Sequence, residues 1–319
     1  MRQLTRLAPV SALAIGLVGA QPGAAQQTSW PNLRLSTVGI GPRDYKQSLD
    51  FYARKMGFRS AFSFSPNGKT NNTYFQVSPE SFLELQEGQP TPGFTHIHMQ
   101  TDDVDAVVAR LKKAAMAACS ATVKTGCVGE PKMAQPTNEK NVLIVDPSGI
   151  RIEPTEFSPG SLTRKAVNSW DTKSAGTRLL VVGIGVENYA ASQNFYEKQM
   201  GFRVAFKFTS PDGQRTTTYY QTSKDSFIEM QPAAAGVAPG ITHVHLLTEN
   251  LDTLIAKLKN AGLTLAPRSS TTPNTVTEAG IVMPSNVKGA NAFDPDGNRL
   301  ELNELLPESL TKRAMDAWK

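Results

Sequence analysis

The sequence contains only four histidines and two cysteines among its 319 residues. The histidines are confined to two tetrapeptides, "THIH" (95–98) and "THVH" (242–245). Basic runs are short and the formal net charge is a mild +5, so we expect no nucleic-acid partner. Beyond the N-terminus no apolar run approaches the roughly 20 residues of a spanning helix, so we expect no membrane insertion of the mature chain. The length predicts two domains, each large enough for its own core.

The first 25 residues have the pattern of a secretory signal peptide. Arg2 and Arg6 precede "LAPVSALAIGLVGA", which is followed by small residues. We expect cleavage after Ala25 and a periplasmic or secreted protein. The alternative is a membrane anchor, but the apolar stretch is interrupted by Pro9 and is shorter than the roughly 20 residues that a spanning helix needs.

Export makes the two cysteines informative. Cys119 and Cys127 lie in a stretch rich in Thr, Gly and Pro, and their spacing suits no zinc motif. In an oxidising compartment we expect them to form a local disulfide that pins a loop. A pair of unrelated thiols is the alternative.

The chain is an internal duplication. The segment at 38–64 matches 182–208 without a gap, and "GFTHIHMQTDDVDAVVARLKKA" (93–114) matches "GITHVHLLTENLDTLIAKLKNA" (240–261). Later segments match as well, down to the tails "SLTRKAVNSW" and "SLTKRAMDAW". The repeat predicts two copies of one domain: an N-terminal domain at 33–170, a linker at 171–177 and a C-terminal domain at 178–319.

Each copy is itself two-fold in pattern. An apolar run is followed by an amphipathic helix over about residues 44–56, with Gly57 as its C-cap, and then by three strand-like runs. The order restarts with a strand at "HIHMQ" and a helix at "DDVDAVVARLKKAA". We therefore predict an α+β fold with four βαβββ modules, and a short Ser-capped helix in each tail.

Side chains alternate across a strand, so the two histidines of each tetrapeptide share one face and the apolar residues between them share the other. The same parity puts a Glu of "FLELQ" and a Glu of "GIRIE" on faces opposite apolar residues. The candidate metal ligands are Glu84, His96, His98 and Glu153 in the first copy and Glu229, His243, His245 and Glu301 in the second.

Two neutral imidazoles and two carboxylates carry a charge of −2, which matches a divalent cation. Without a cation, two buried carboxylates repel each other and one tends to be protonated. Such a donor set suits Fe²⁺, Mn²⁺, Zn²⁺ or Ni²⁺. The alternative is that the histidines are structural and that the glutamates are surface charges.

These motifs, from "VGIG…SLDFYARKMGF" to "DPSGIRIE", resemble the vicinal-oxygen-chelate superfamily, which includes glyoxalase I, extradiol dioxygenases and bleomycin-resistance proteins. The resemblance covers about residues 35–156 and 179–304. It implies two tandem domains with cup-shaped mixed sheets around a divalent metal. By position it implies the ligand sets Glu84, His96 and Glu153, and Glu229, His243 and Glu301. The family's first-strand histidine is replaced by Thr37 and Val181, and we expect His98 and His245 to compensate, either as replacement ligands or as bases beside the metal.

The resemblance implies a metal-dependent dioxygenase, lyase or isomerase that acts on a small oxygenated molecule. The alternative is a non-catalytic protein that binds or sequesters a small molecule in cups with degenerate metal sites. No catalytic residue is assigned. Candidate substrate contacts are Tyr74, Arg151, Tyr219 and Arg299, with core packing of the tyrosines and Arg–Glu pairing as their alternatives. We expect a monomer or a homodimer.

Overall fold

The structure is a computed structural model that describes residues 33–171, 176–210 and 213–318. The signal peptide predicted at 1–25 and most of the linker predicted at 171–177 lie outside the described residues. Within the described ranges, no helix has the length and apolar character to cross a membrane. The domain bounds given above stay predictions.

The N-terminal half forms one sheet of 11 strands in the order β2-β3-β4-β1-β5-β11-β10-β7-β6, with β8 and β9 attached beside β11. Its strands are β1 (Arg34–Gly41), β2 (Arg59–Phe64), β3 (Asn72–Ser78), β4 (Ser81–Gln86), β5 (Gly93–Gln100), β6 (Ala117–Ala118), β7 (Cys127–Val128), β8 (Lys132–Ala134), β9 (Glu139–Asn141), β10 (Ile144–Val145) and β11 (Arg151–Glu156). Its helices are α1 (Tyr45–Asp50), α2 (Val104–Lys113) and α3 (Leu162–Asn168).

The C-terminal half repeats this plan with 10 strands in the order β13-β14-β15-β12-β16-β21-β20-β18-β17, and β19 pairs with β20. Its strands are β12 (Thr177–Val186), β13 (Arg203–Thr209), β14 (Thr216–Ser223), β15 (Ser226–Pro232), β16 (Gly240–Thr248), β17 (Thr264–Ala266), β18 (Thr275–Thr277), β19 (Gly280–Val282), β20 (Val287–Phe293) and β21 (Arg299–Leu305). Its helices are α4 (Tyr189–Asn194), α5 (Leu251–Asn260) and α6 (Leu310–Asp316).

In each half the first strands of the two modules lie side by side. Strand β1 pairs in parallel with β4 and antiparallel with β5, and β5 pairs in parallel with β11. The second half keeps these pairings for β12, β15, β16 and β21. The four-module α+β architecture with mixed sheets is therefore confirmed.

The helices begin and end where the sequence provides caps. The predicted 44–56 helix is α1 followed by a π-helical segment, Phe51–Lys55, and Gly57 adopts φ +72 at its end. Helix α2 begins after Asp103, whose side chain accepts a hydrogen bond from the amide of Ala106. The tail helices α3 and α6 form as predicted, each with a Ser N-cap.

The two halves share one hydrophobic core. It joins the convex faces of both sheets, so that Ile97 and Val244, the apolar residues between the histidines, belong to the same cluster. Two reciprocal hydrogen bonds cross this core: the hydroxyl of Tyr52 donates to Asp294 over 2.9 Å and that of Tyr196 donates to Asp146 over 3.0 Å. The halves are therefore packed back to back, through the strand faces that lie opposite the histidines.

Cys119 and Cys127 are joined by a disulfide with a Cα–Cα distance of 5.0 Å. The bond ties the segment after β6 to the start of β7. It lies far along the sheet from the central strands that carry the histidines, with β10 and β11 between them.

Candidate metal centre

Three strands, β4, β5 and β11, place the four candidate ligands of the N-terminal half on one concave face, and β1 lies between β4 and β5. Glu84 and His96 both lie beside Gly39 of β1, on β4 and β5 respectively. His98 is paired directly with Glu153 of β11. We call this face, with its four ligand candidates, the N-terminal cup. The C-terminal cup is the matching face with Glu229, His243, His245 and Glu301.

A glycine at the floor of each cup makes room for the imidazole. A methyl group added at Gly39 would lie 2.3 Å from Cε1 of His96, and one added at Gly183 would lie 2.1 Å from Cε1 of His243. Carbon atoms that are not bonded approach to about 3.5–4.0 Å. The "VGIG" motif is therefore needed so that the ring can lie across the central strand.

The donor atoms of the N-terminal cup converge on one point. Nε2 of His96 lies 2.7 Å from Nε2 of His98 and 3.1 Å from Oε2 of Glu84. Nε2 of His98 lies 3.8 Å from the Glu84 carboxylate and 3.9 Å from that of Glu153. A tetrahedral ion with bonds of about 2.0–2.1 Å separates its donors by about 3.3–3.4 Å. The observed spacings bracket that value.

The C-terminal cup has the same convergence. Oε2 of Glu229 lies 3.4 Å from Nε2 of His243 and 3.2 Å from Nε2 of His245. The Glu301 carboxylate approaches these two nitrogens to 3.6 Å and 3.5 Å. Glu84, His96 and His98, like Glu229, His243 and His245, form a group whose ligand atoms all lie within 4.8 Å of one another.

The buried Nε2 of His245 has no hydrogen-bond partner. Its other ring nitrogen, Nδ1, lies 2.7 Å from Oδ1 of Asn303, so the neutral ring carries its proton on Nδ1. That tautomer points the Nε2 lone pair at the carboxylates of Glu229 and Glu301. A lone pair facing carboxylates in a buried site is unfavourable. Burial lowers the pKa of His245, but Glu301 and Glu229 outweigh it and raise that pKa, so this position attracts a positive charge, which either a proton on Nε2 or a metal cation supplies. The residues therefore fit a divalent metal.

The second ring nitrogens of the other histidines are also held. Nδ1 of His96 contacts the hydroxyl of Thr95 at 2.8 Å, and Nδ1 of His98 contacts that of Thr155 at 3.2 Å. A hydroxyl can accept the Nδ1 proton and so leave Nε2 free to ligate, although the 2.7 Å contact between the two Nε2 atoms requires a proton on one of them until a cation displaces it. His243 differs, because the Arg299 guanidinium donates to its Nδ1 over 2.7 Å. Since arginine only donates, the proton of a neutral His243 is then on Nε2.

Burial and mutual charge shape the ionisation of these groups. Burial favours the neutral form of Glu84, but its combined interactions with His96, His98 and Asn72 outweigh burial and lower the pKa of Glu84. Burial likewise favours the neutral form of Glu229, but its combined interactions with His243 and His245 outweigh burial and hold its pKa well below the usual value. Burial and the neighbouring His96 lower the pKa of His98. Each carboxylate is thus kept ionised and ready to bind a cation.

Each cup opens into a cavity. The cavity is about 460 Å³ in the N-terminal cup and about 240 Å³ in the C-terminal cup. Tyr74 and Tyr219 line these cavities but are buried and stacked on phenylalanines, so they take part in core packing and their role as substrate contacts stays a prediction. Arg151 and Arg299 also line them, and each pairs with a glutamate, at 3.1 Å and 3.3 Å.

Sequence reasoning missed Glu139. It is buried in the wall of the N-terminal cup, where the hydroxyl of Thr163 on α3 donates to it over 2.5 Å. Burial raises its pKa to about 7. A comparison of the two repeats could have found it, because "PTNEKN" (136–141) matches "PSNVKG" (284–289) without a gap and Val287 stands in the place of Glu139.

Residues 34–153 and 178–302 each match the family model described as Glyoxalase/Bleomycin resistance protein/Dioxygenase superfamily. The chain belongs to this superfamily. The resemblance to vicinal-oxygen-chelate proteins is thereby confirmed. Among curated proteins, none matches this chain in sequence.

Several solved structures of this superfamily share the fold. The Mn(II)-bound glyoxalase from Novosphingobium aromaticivorans is 17% identical, with coverage of 86% of this chain and 82% of that one and a TM-score of 0.64. Homoprotocatechuate 2,3-dioxygenase from Arthrobacter globiformis is 18% identical, with coverage of 88% and 84% and a TM-score of 0.60. A variant of 4-hydroxymandelate synthase from Streptomyces coelicolor is 11% identical, with coverage of 89% and 97% and a TM-score of 0.64. At these identities the likeness establishes the fold alone.

The register explains how this chain departs from the superfamily pattern. Thr37 is paired with His98, and Val181 is paired with His245. Side chains that face each other across an antiparallel pair have Cβ atoms about 4.5–5.5 Å apart. His98 and His245 therefore enter each cup beside the place where the missing histidine would stand. Their role as ligands stays a prediction.

Proposed function

We propose that this protein is an exported, divalent-metal-dependent enzyme that acts on a small oxygenated molecule. The observation that carries the proposal is the convergence, in each cup, of two imidazoles and two carboxylates on one point at the base of a cavity. Glu84, His96, His98 and Glu153 would hold one ion, and the matching four residues would hold the other. The donor set suits Fe²⁺, Mn²⁺, Zn²⁺ or Ni²⁺.

Membership of a superfamily that includes dioxygenases and glyoxalases supports an enzyme, and the finer choice is among dioxygenase, lyase and isomerase chemistry. A bound ion would supply Lewis-acid polarisation of adjacent substrate oxygens. The chain's own residues orient the ligands: Tyr219 donates to Glu229 over 2.6 Å, and Asn72 donates to Glu84 over 2.8 Å. In the N-terminal cup, Glu139 can take up or release a proton near neutral pH.

Export is supported by the pattern of residues 1–25 and by the disulfide of Cys119 and Cys127, a bond that persists in oxidising compartments. We propose a periplasmic or secreted protein. Its back-to-back halves already bury their convex faces against each other, which fits a monomer as well as a homodimer.

The test is metal content, measured by plasma mass spectrometry on protein that has been exported to a bacterial periplasm and purified without chelators. We expect one or two transition-metal ions per chain, and their loss from the His98→Ala/His245→Ala variant. Gln100→Ala is the matched control, since Gln100 is buried on the same strand and lies two residues beyond His98.

A parent protein without metal, even after incubation with Fe²⁺, Mn²⁺, Zn²⁺ and Ni²⁺, would contradict the proposal. The cups would then be degenerate as metal sites, and a non-catalytic binding or sequestering protein would take the enzyme's place. A control variant that loses its metal as the double variant does would show that the loss reflects general damage to the strand.

A further inference from the structure

The two cups have the same floor but different walls. Both floors carry two histidines, two glutamates and an arginine at matched positions. The walls come from segments that match without a gap, 130–140 and 278–288, and both segments line their cavities. The differences between the cups are therefore substitutions on one scaffold, and they can be compared position by position.

Three of the substitutions replace a polar residue of the N-terminal half by an apolar one. Gln135 and Glu139 line the N-terminal cup, and Met283 and Val287 take their places in the C-terminal cup. On the first strand, Leu180 also lines the C-terminal cup, at the position that matches Ser36. An apolar wall favours burial of apolar ligand surface, whereas a wall of amides and carboxyls must be paired with polar ligand groups.

The N-terminal wall adds further hydrogen-bonding groups. Asn67, Asn72, Thr137 and Asn141 also line its cavity. The matching positions for the last two in the C-terminal half are a serine and a glycine, Ser285 and Gly289, and only Ser285 lines the cavity there. The larger cavity thus presents a ring of donors and acceptors above its ligand cluster.

The charges differ as well. Four carboxylates and two cations line the N-terminal cup: Glu84, Glu87, Glu139 and Glu153 with Lys132 and Arg151. Two carboxylates and two cations line the C-terminal cup: Glu229 and Glu301 with Arg215 and Arg299. A divalent ion adds the same charge to both, so a loaded C-terminal cup has an excess of positive charge that a fully ionised N-terminal cup lacks.

We propose that the two cups select different classes of ligand. The C-terminal cup selects an anionic molecule with an apolar body, and the N-terminal cup selects a hydroxyl-rich molecule. The Glu139/Val287 pair is the main determinant, because both residues are buried in the walls at matched positions. The inference rests on the proposed function, since the metal ion anchors the head of each ligand.

The experiment uses two probes with the same metal-chelating head, a 2-hydroxycarboxylate. One is 3-phenyllactate, which has an apolar ring, and the other is glycerate, which has a hydroxyl in the place of the ring. Two variants of the full chain each leave one metal site intact. His96→Ala/His98→Ala leaves the C-terminal cup active, and His243→Ala/His245→Ala leaves the N-terminal cup active. Both proteins are loaded with Zn²⁺. Binding is measured by isothermal titration calorimetry, with metal content determined on the same samples.

With only the C-terminal cup active, we expect phenyllactate to bind at least tenfold more tightly than glycerate. With only the N-terminal cup active, we expect this preference to vanish or to reverse. Two variants exchange the residues between the cups. Val287→Glu should lower the affinity of the C-terminal cup for phenyllactate at least tenfold, and Glu139→Val should raise the affinity of the N-terminal cup for phenyllactate. Val287→Leu is the control for a change of size at constant polarity, and it should retain the preference.

Equal preferences in the two metal-loaded cups, or a Val287→Glu variant that binds phenyllactate as the parent does, would overturn the inference and leave the proposed function standing. The same holds if both cups retain metal but neither probe binds. A chain that holds no metal would overturn the proposed function itself, and the inference would fall with it. The metal content of each sample therefore separates the two failures.

Discussion

The replacement Gly183→Ala should disable the C-terminal metal site through a single methyl group. That methyl group would lie 2.1 Å from Cε1 of His243 and 2.4 Å from its Nδ1. Since the normal separation is about 3.5–4.0 Å, one of the two must move by more than about 1 Å. Gly183 lies on a central strand that is paired on both sides, with β15 and β16, so the backbone is held and the ring has to move.

A metal ligand tolerates a displacement of only about 0.2 Å, so a shift of this size should break the bond from His243 to the ion. We expect the metal affinity of the C-terminal cup to fall about tenfold to a hundredfold, as measured by competition with a chelator. Overpacking should also cost about 1–3 kcal/mol of unfolding free energy, as measured by urea denaturation.

Gly240→Ala is the control for this prediction. Gly240 begins the strand that carries His243, and a methyl group at Gly240 would meet no atom within 4 Å. This variant should retain both metal affinity and stability. A Gly183→Ala protein that binds metal as tightly as the parent would refute the reasoning, because the ring would then not occupy the space above the glycine.

Three further predictions concern individual contacts. Tyr52→Phe removes the donor to buried Asp294 and should cost about 1–3 kcal/mol in urea denaturation; an unchanged midpoint would show that the hydrogen bond between the halves adds nothing. Burial raises the pKa of Glu139 to about 7, so the folded state keeps a proton that the unfolded state releases. The free energy of unfolding of the metal-free protein should therefore fall by up to about 3 kcal/mol relative to Glu139→Gln as the pH rises from about 4.5 to about 7. Parallel stability profiles of the two proteins would argue against this pKa. Arg299→Ala leaves Nδ1 of His243 to the Thr242 hydroxyl, which lies 2.8 Å away and can accept its proton, and should therefore raise the Zn²⁺ affinity of the C-terminal cup about tenfold in a chelator competition. Weaker binding would mean that the arginine supports the site.

The placement of the candidate ligands could be predicted from the sequence because strand geometry is local. The period of two along a strand put His96 and His98 on one face, and Ile97 and Met99 are buried on the other, as parity required. The duplication then fixed the architecture, since a repeated pattern of strands and helices must bury repeated apolar faces. The helix predicted at 44–56 was right in its bounds to within a residue, but its π-helical second half has no signature in the pattern.

The contacts that depend on packing between distant segments could not be predicted. The sequence does not show that Tyr52 reaches Asp294, because the two residues lie in different halves and meet only when the convex faces pack together. The contact of Arg299 with His243 is similar: parity predicts that both face the cup, but the choice between His243 and Glu301 as partners depends on side-chain torsions. Periodicity determines the face on which a side chain lies and leaves its partner open.

The proposed use of His98 in place of a first-strand histidine is compatible with the strand register at the base of the cup. A ligand lost from the first strand can be supplied by the strand beside it, because Thr37 and His98 are directly opposite and face the same side of the sheet. The replacement needs a second condition, which is room for the ring of His96 beside that of His98, and Gly39 provides it because the His96 ring occupies the space that a side chain at this position would take. The proposed site therefore requires both the His-x-His pair and the glycine of "VGIG", and a chain that has the pair but lacks the glycine should fail to assemble the site.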